Sequence, residues 1–129
     1  MLGIEPLSAE EILFLLDQSK PFQEIQRHPL KKLATLRGKT VALAFFEPST
    51  RTRISFATAA ARLGADQMNL QAESSSLKKG ESLLDTVRTL DAMKPDCIVM
   101  RHSSSGAPDF VARNPVSYTH LTLPTNREV

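Results

Sequence analysis

The chain has 129 residues, 41% of them hydrophobic, with 16 basic and 14 acidic side chains and a formal charge of +2. That suffices for one compact globular domain, and near-balanced charge without a basic block argues against nucleic acid or a membrane surface as partner. No apolar run approaches the ~20 residues of a membrane span and the N-terminus lacks a basic-then-apolar export signal, so a cytoplasmic location is expected by default.

In chain order, Leu7-Ser8-Ala9-Glu10-Glu11-Ile12 is a helix start. Ser8 can cap, Glu11 can bond back to it, and Leu7 can staple against Ile12. Ile12, Leu13, Phe14, Leu15 and Leu16 form a broad apolar face, which predicts a packed structural helix. Pro21 is expected to break or restart it, with Phe22 and Ile25 continuing the apolar marking to about Arg27. A basic connector follows, with Lys31, Lys32, Arg37 and Lys39, and Gly38 turns it into the first strand. His28 precedes a proline and has no acidic or hydroxyl neighbour, so it reads as a surface histidine rather than a catalytic one.

Thr40-Val41-Ala42-Leu43-Ala44 is an apolar run of buried-strand type. Ile54 to Leu63, Ala-rich and closed by Gly64, is a helix with its C-terminal stop. Between them Phe45 to Arg53 makes a Pro-marked turn crowded with hydroxyls and arginines. A helix N-terminus offers unpaired N–H groups and partial positive charge. Ser49, Thr50 and Thr52 add short donors, and Arg51 and Arg53 add planar charged forks that match phosphate or carboxylate oxygens. The plainer alternative is a capped helix with two solvated arginines.

Gln67-Met68-Asn69-Leu70 is a short second strand, and residues 71–80 read as a polar, serine-rich loop whose simplest role is a solvated linker. Apolar residues at 83, 84, 87, 90 and 93 have helical spacing. Cys97-Ile98-Val99-Met100 is a third strand, and its lone cysteine reads as a small core residue rather than a nucleophile. Arg101 leaves its C-terminal end, and Pro108 suits the start of a short helix reaching about Arg113. Strands alternating with helices predict an α/β fold with a partial, doubly wound parallel sheet. Both arginine-bearing turns then lie at carboxyl ends of strands, where open α/β sheets bind ligands.

The run Phe45-Phe46-Glu47-Pro48-Ser49-Thr50-Arg51-Thr52-Arg53, followed by Ser55-Phe56, resembles the carbamoyl-phosphate signature of the transcarbamoylases. Its Phe-Phe-Glu-Pro lead-in is closer to the aspartate branch than to the ornithine branch. The family often has Glu after Ser-Phe where this chain has Ala57, a position beyond the phosphate contacts. The resemblance implies that Ser49, Thr50, Arg51 and Thr52 grip the phosphate of carbamoyl phosphate. The segment from Ser75 to Ser82 is similar to the family's mobile loop, which enters the active site of the neighbouring subunit in a trimer, and this implies roles for Ser76 and Lys79. Met100-Arg101-His102 resembles the strand end whose arginine contacts carbamoyl phosphate, which implies a role for Arg101.

The resemblance implies a parent enzyme that transfers a carbamoyl group from carbamoyl phosphate to the α-amino group of L-aspartate, the committed step of pyrimidine synthesis. Acyl transfer of this kind needs no metal, cofactor or side-chain nucleophile. Arg51 and its turn would hold phosphate, Arg101 and Thr52 would polarise the carbamoyl oxygen, and Lys79 would close the site from an adjacent chain of a homotrimer. Glu47 and Arg53 read as structural, in an ion pair or a link to a second domain. The rivals are an ornithine-type transcarbamoylase, or a non-catalytic half-domain that binds phosphate or a partner.

The resemblance covers about residues 7–114, so residues 1–114 are expected to form a partial carbamoyl-phosphate-binding domain, with most of the aspartate site outside this chain and no activity in isolation. Residues 115–129, with Val116-Ser117-Tyr118-Thr119-His120-Leu121-Thr122-Leu123-Pro124-Thr125, resemble one frame of a sequencing-library transposase adapter and are expected to be a non-native tail. The alternative is a real strand with Tyr118 and His120 at its surface. His120 is not assigned the role of the family's active-site histidine.

Overall fold

The structure, a computed structural model, describes residues 3–71, 82–114 and 119–122. Helices and strands follow in the order α1 (Ala9–Ile25), β1 (Thr40–Phe45), α2 (Thr50–Arg62), β2 (Asp66–Gln71), α3 (Leu83–Ala92), β3 (Cys97–Arg101), α4 (Ala107–Arg113) and β4 (Thr119–Thr122). The strands form one parallel sheet in the order β2-β1-β3-β4.

The period-two alternation of side chains along β1 and β3 builds two apolar layers, one on each face. Ala42, Ala44, Ile98 and Met100 point with Phe46 towards Val87 and Leu90 of α3 and Val111 of α4. Leu43, Phe45 and Val99 point the other way, against Phe56 and Ala57 of α2, with Cys97 at the margin. Both faces of the central pair are therefore covered, which is why these strands read as continuous apolar runs. Burial raises the Cys97 thiol above its ordinary value, as suits a packed side chain rather than a nucleophile.

Local signals act as their chemistry dictates. Ser8 Oγ accepts from Glu11 N–H at 3.2 Å and Glu11 Oε2 accepts from Ser8 N–H at 2.8 Å, a complete capping box. Ser82 caps α3 by accepting from Asp85 N–H. Gly64 ends α2 at φ +82°, and a Cβ there would lie 2.8 Å from Leu33 O. That close approach is needed because the connector docks on the end of α2, through Leu33 N–H to Arg62 O and Leu36 N–H to Leu63 O.

Three expectations change. Pro21 neither breaks nor restarts α1, which runs through it. Its loss is local, one missing donor, and the turn before it is braced by Ser19 Oγ on Leu16 O and by the Asp17–Lys20 ion pair. Nor is α1 packed as expected: none of its residues is buried, and Leu13, Phe14 and Leu16 are 61%, 62% and 57% exposed. Finally, the sheet has a fourth strand where three were expected. The backbone of Thr119–Thr122 pairs parallel to β3, with Cys97 opposite Thr119 and Met100 opposite Thr122. An open strand edge pairs through backbone groups and so accepts any extended segment.

At the end of the sheet away from the arginine turns, Asp96 ties β1 to β3. Its carboxylate accepts from Lys39 Nζ at 2.8 Å and from Thr40 N–H at 2.8 Å, and Asp96 N–H donates to Thr40 O at 2.8 Å. The Lys39 hydrogen bond, then that of Thr40, hold the Asp96 carboxyl below its ordinary range, and Asp96 raises the Lys39 ammonium. Asp96 therefore stabilises the fold above the ordinary carboxylate range, and that contribution is lost as pH falls through its lowered folded value. For Lys39 the contribution is present below the ordinary ammonium value and lost as pH rises through the raised one. Comparing thermal midpoints of wild type and Asp96→Asn from about pH 7 down to about pH 2 should show a difference that shrinks towards acid. A pH-independent difference would refute the assignment.

Candidate functional site

The register of β1 on β3 sets Phe45 opposite Arg101, and Phe46 N–H donates to Arg101 O at 2.8 Å. The turn after β1 and the arginine after β3 therefore emerge side by side at the carboxyl edge of the sheet. Arg101 reaches across this edge. Its Nε donates to Glu47 Oε1, and its Nη1 donates to Ser49 Oγ at 2.8 Å and Thr52 Oγ1 at 3.2 Å. The side chains of Arg101 and Glu47 are only 29% and 16% exposed, so this ion pair works with less water screening than a surface pair.

Ser49 occupies the N-cap position of α2, yet its hydroxyl makes no capping bond. It accepts from Arg101 instead. The first intrahelical bond runs from Arg53 N–H to Ser49 O at 3.0 Å. The N–H groups of Thr50, Arg51 and Thr52 thus have no acceptor within the helix, and α2 is a 13-residue helix whose positive end faces this edge. Arg51 and Thr50 are exposed at the same turn, while Thr52 and Arg53 are half-buried.

Of a guanidinium's five donors, the fixed contacts of Arg101 use Nε and Nη1. Among the described residues none accepts from Nη2. The site therefore offers a positioned cationic fork, two hydroxyls and a helix N-terminus on one small patch, which is chemistry for a phosphate-bearing ligand. A phosphate oxygen approaching Arg101 meets a guanidinium whose charge the Glu47 carboxylate already offsets.

Ser49, Thr52 and Arg101 are in direct contact, and Thr50 and Arg51 lie on the adjoining helical turn. Ser76 and Lys79 fall outside the described residues. The expected ion pair of Glu47 is present, but its partner is Arg101, a site residue. Sequence reasoning missed this link; the signal that could have found it is the adjacency of β1 and β3, which brings the residues just past each strand together. Among the described residues no group of three His, Cys, Asp or Glu side chains is arranged to hold a metal ion.

Residues 1–120 match the family model described as aspartate/ornithine carbamoyltransferase, carbamoyl-P binding domain. The chain is 59% identical over 113 residues to the aspartate carbamoyltransferase catalytic subunit of Solibacter usitatus, covering 88% of this chain and 37% of the relative. The chain thus spans little more than a third of that protein. Among solved structures it is similar to aspartate transcarbamoylase from Trypanosoma cruzi in complex with carbamoyl phosphate and aspartate, at 34% identity and TM-score 0.83, covering 95% of this chain and 37% of that one. It is also similar to the catalytic subunit of M. jannaschii aspartate transcarbamoylase, at 36% identity and TM-score 0.82, covering 98% and 40% of the two chains.

Replacing Glu47 by Gln exchanges a charged acceptor on Arg101 for a neutral one, a difference of about 1 kcal/mol. Inorganic phosphate should then bind about fivefold more tightly, while the thermal midpoint falls. Phosphate titration of Glu47→Gln beside wild type checks this, and unchanged or weaker binding would show that the carboxylate does not compete.

Proposed function

This chain belongs to the aspartate/ornithine carbamoyltransferase family as its carbamoyl-phosphate-binding domain, and we propose that its parent protein transfers the carbamoyl group of carbamoyl phosphate to the α-amino group of L-aspartate. The observation that carries this reading is the convergence of Ser49, Thr52 and Arg101 at the uncapped N-terminus of α2. The aspartate branch is favoured by the Phe45-Phe46-Glu47-Pro48 lead-in and by the names of the relatives, whose T. cruzi member is described with carbamoyl phosphate and aspartate bound.

In this reading the phosphate sits on the N–H groups of Thr50, Arg51 and Thr52, with the Arg51 guanidinium over it. The carbamoyl oxygen lies towards Arg101 and Thr52. When the neutral amine attacks the carbamoyl carbon, negative charge grows on that oxygen; the carbon–phosphate-oxygen bond then breaks, and the leaving phosphate takes up the proton that the amine nitrogen loses. Fixed donors already aimed at both places stabilise the transition state without reorganising. Holding the two substrates together removes much of the entropic barrier, worth up to about 7–11 kcal/mol in favourable cases. No covalent intermediate is required. Arg101 is held by Glu47, Ser49 and Thr52 before ligand arrives, and its Nη2 is the donor left for the ligand. Ser76 and Lys79 are read as completing the site from a neighbouring chain of a homotrimer, and the aspartate grip as lying mostly in the length of the parent that this chain does not span.

A polypeptide of these 129 residues alone should therefore show no carbamoyl transfer to aspartate or ornithine, and weak carbamoyl-phosphate binding that depends on Arg51. Turnover assays with both amines and calorimetric titration check this. Turnover of ~1–10³ s⁻¹ would mean that the division between binding halves is wrong.

In the complete parent protein, Lys79 should act in trans. Inactive Lys79→Ala and inactive Arg51→Ala proteins, mixed under conditions of verified subunit exchange, should regain part of the activity, because some mixed sites pair an intact phosphate turn with an intact loop. Absence of recovery would exclude a shared site.

A further inference from the structure

Arg101 is the last residue of β3, and the bond from Phe46 N–H to its carbonyl at 2.8 Å fixes where its side chain starts. The next residue braces that junction. The His102 ring lies against the buried Phe46 ring, with centroids 5.5 Å apart and planes tilted by 47°. Its Nδ1 accepts from Ser104 N–H at 2.9 Å, which in the neutral ring puts the proton on Nε2. Phe46 is also the residue whose N–H donates to Arg101 O, and it immediately precedes Glu47, the carboxylate that holds Arg101 Nε. One ring thus ties the turn that carries the guanidinium to the turn that carries its partners.

We propose that His102 is a positioning residue for carbamoyl-phosphate binding: its ring clamps Phe46 and its Nδ1 closes the turn at Ser104, and together these contacts set the direction of Arg101. The proposal rests on the functional reading above. His102 touches no ligand in it and acts only through Arg101.

The test uses the full 129-residue chain, calorimetric titration with carbamoyl phosphate, and the ¹H–¹⁵N resonance of Arg101 Nε. His102→Leu removes both the acceptor and the aromatic contact. It should weaken binding about 3- to 10-fold, as expected when a misdirected Arg101 loses one net hydrogen bond to the ligand, and it should move the Arg101 Nε resonance. His102→Asn keeps an oxygen able to accept from the N–H two residues on, so part of the affinity should return, with the resonance shifted back. Wild-type affinity in His102→Leu, or weakened binding with an unmoved Arg101 resonance, overturns the proposal. If His102→Leu does not fold, His102→Phe keeps the ring on Phe46 and loses only the acceptor, and the same two readouts decide. Arg101→Gln separates the two levels. If it still binds carbamoyl phosphate as wild type does, the functional reading itself falls; if it loses binding while the His102 variants behave as wild type, only the positioning role falls.

Discussion

The parallel pairing of β1 with β3 is the constraint on which the site depends. Phe45 stands opposite Arg101, so the first residues beyond each strand share one patch at the carboxyl edge. A shift by one residue would exchange the faces of every side chain on one strand. It would bury what is now at the edge and carry the Arg101 side chain away from Glu47 and Ser49. Leu43, Ile98, Val99 and Met100, each 2% exposed or less, oppose such a shift because both faces of the pair are packed. The core therefore fixes a register, and the register fixes an arginine.

At that edge, stability and binding pull on the same groups. Ser49 gives up the usual N-cap bond and accepts from Arg101, which leaves the first N–H groups of α2 open to an anion. A capping serine commonly contributes about 1 kcal/mol to a helix, so this end of α2 is held in a less favourable arrangement than the sequence could reach. Glu47 offsets the charge of Arg101 in the unliganded protein. Among the described residues the other hydrogen-bond partners of this half-buried guanidinium are two neutral hydroxyls. In the proposed function the same carboxylate opposes the ligand, so part of the anion affinity would be exchanged for an arginine that is already oriented.

Much of this was legible in the chain. The apolar run of β1, the hydroxyl-rich turn and the glycine-ended helix have local causes, and local causes can be read residue by residue. Arg101 at the end of β3 was readable for the same reason. The Glu47–Arg101 and Phe46–His102 contacts were not, since they join residues more than fifty positions apart and exist only once β3 lies beside β1. The continuity of α1 through Pro21 was misread because a proline was weighed as a stop, although a helix with good turns on both sides loses only a local bond. β4 was read only as the alternative to a non-native tail because the expected pattern ended at Asn114, whereas strand pairing at an open edge needs only an extended backbone.

The exposed face of α1 and the packed sheet illustrate different demands on apolar residues. Leu13, Phe14 and Leu16 have helical spacing, and amphipathic spacing says that a face is suited to burial, not that its cover is nearby. The sheet carries its own cover: α2 on one side, α3 and α4 on the other. For function this difference matters. The cluster of Arg101, Glu47, Ser49 and Thr52 lies where β1, α2 and β3 meet, and among the described residues none of its hydrogen bonds runs to α1. The geometry of the proposed phosphate grip is therefore set by the central sheet and its own helices, and a ligand that bridges the α2 N-terminus and Arg101 would reinforce the same β1–β3 junction that positions them.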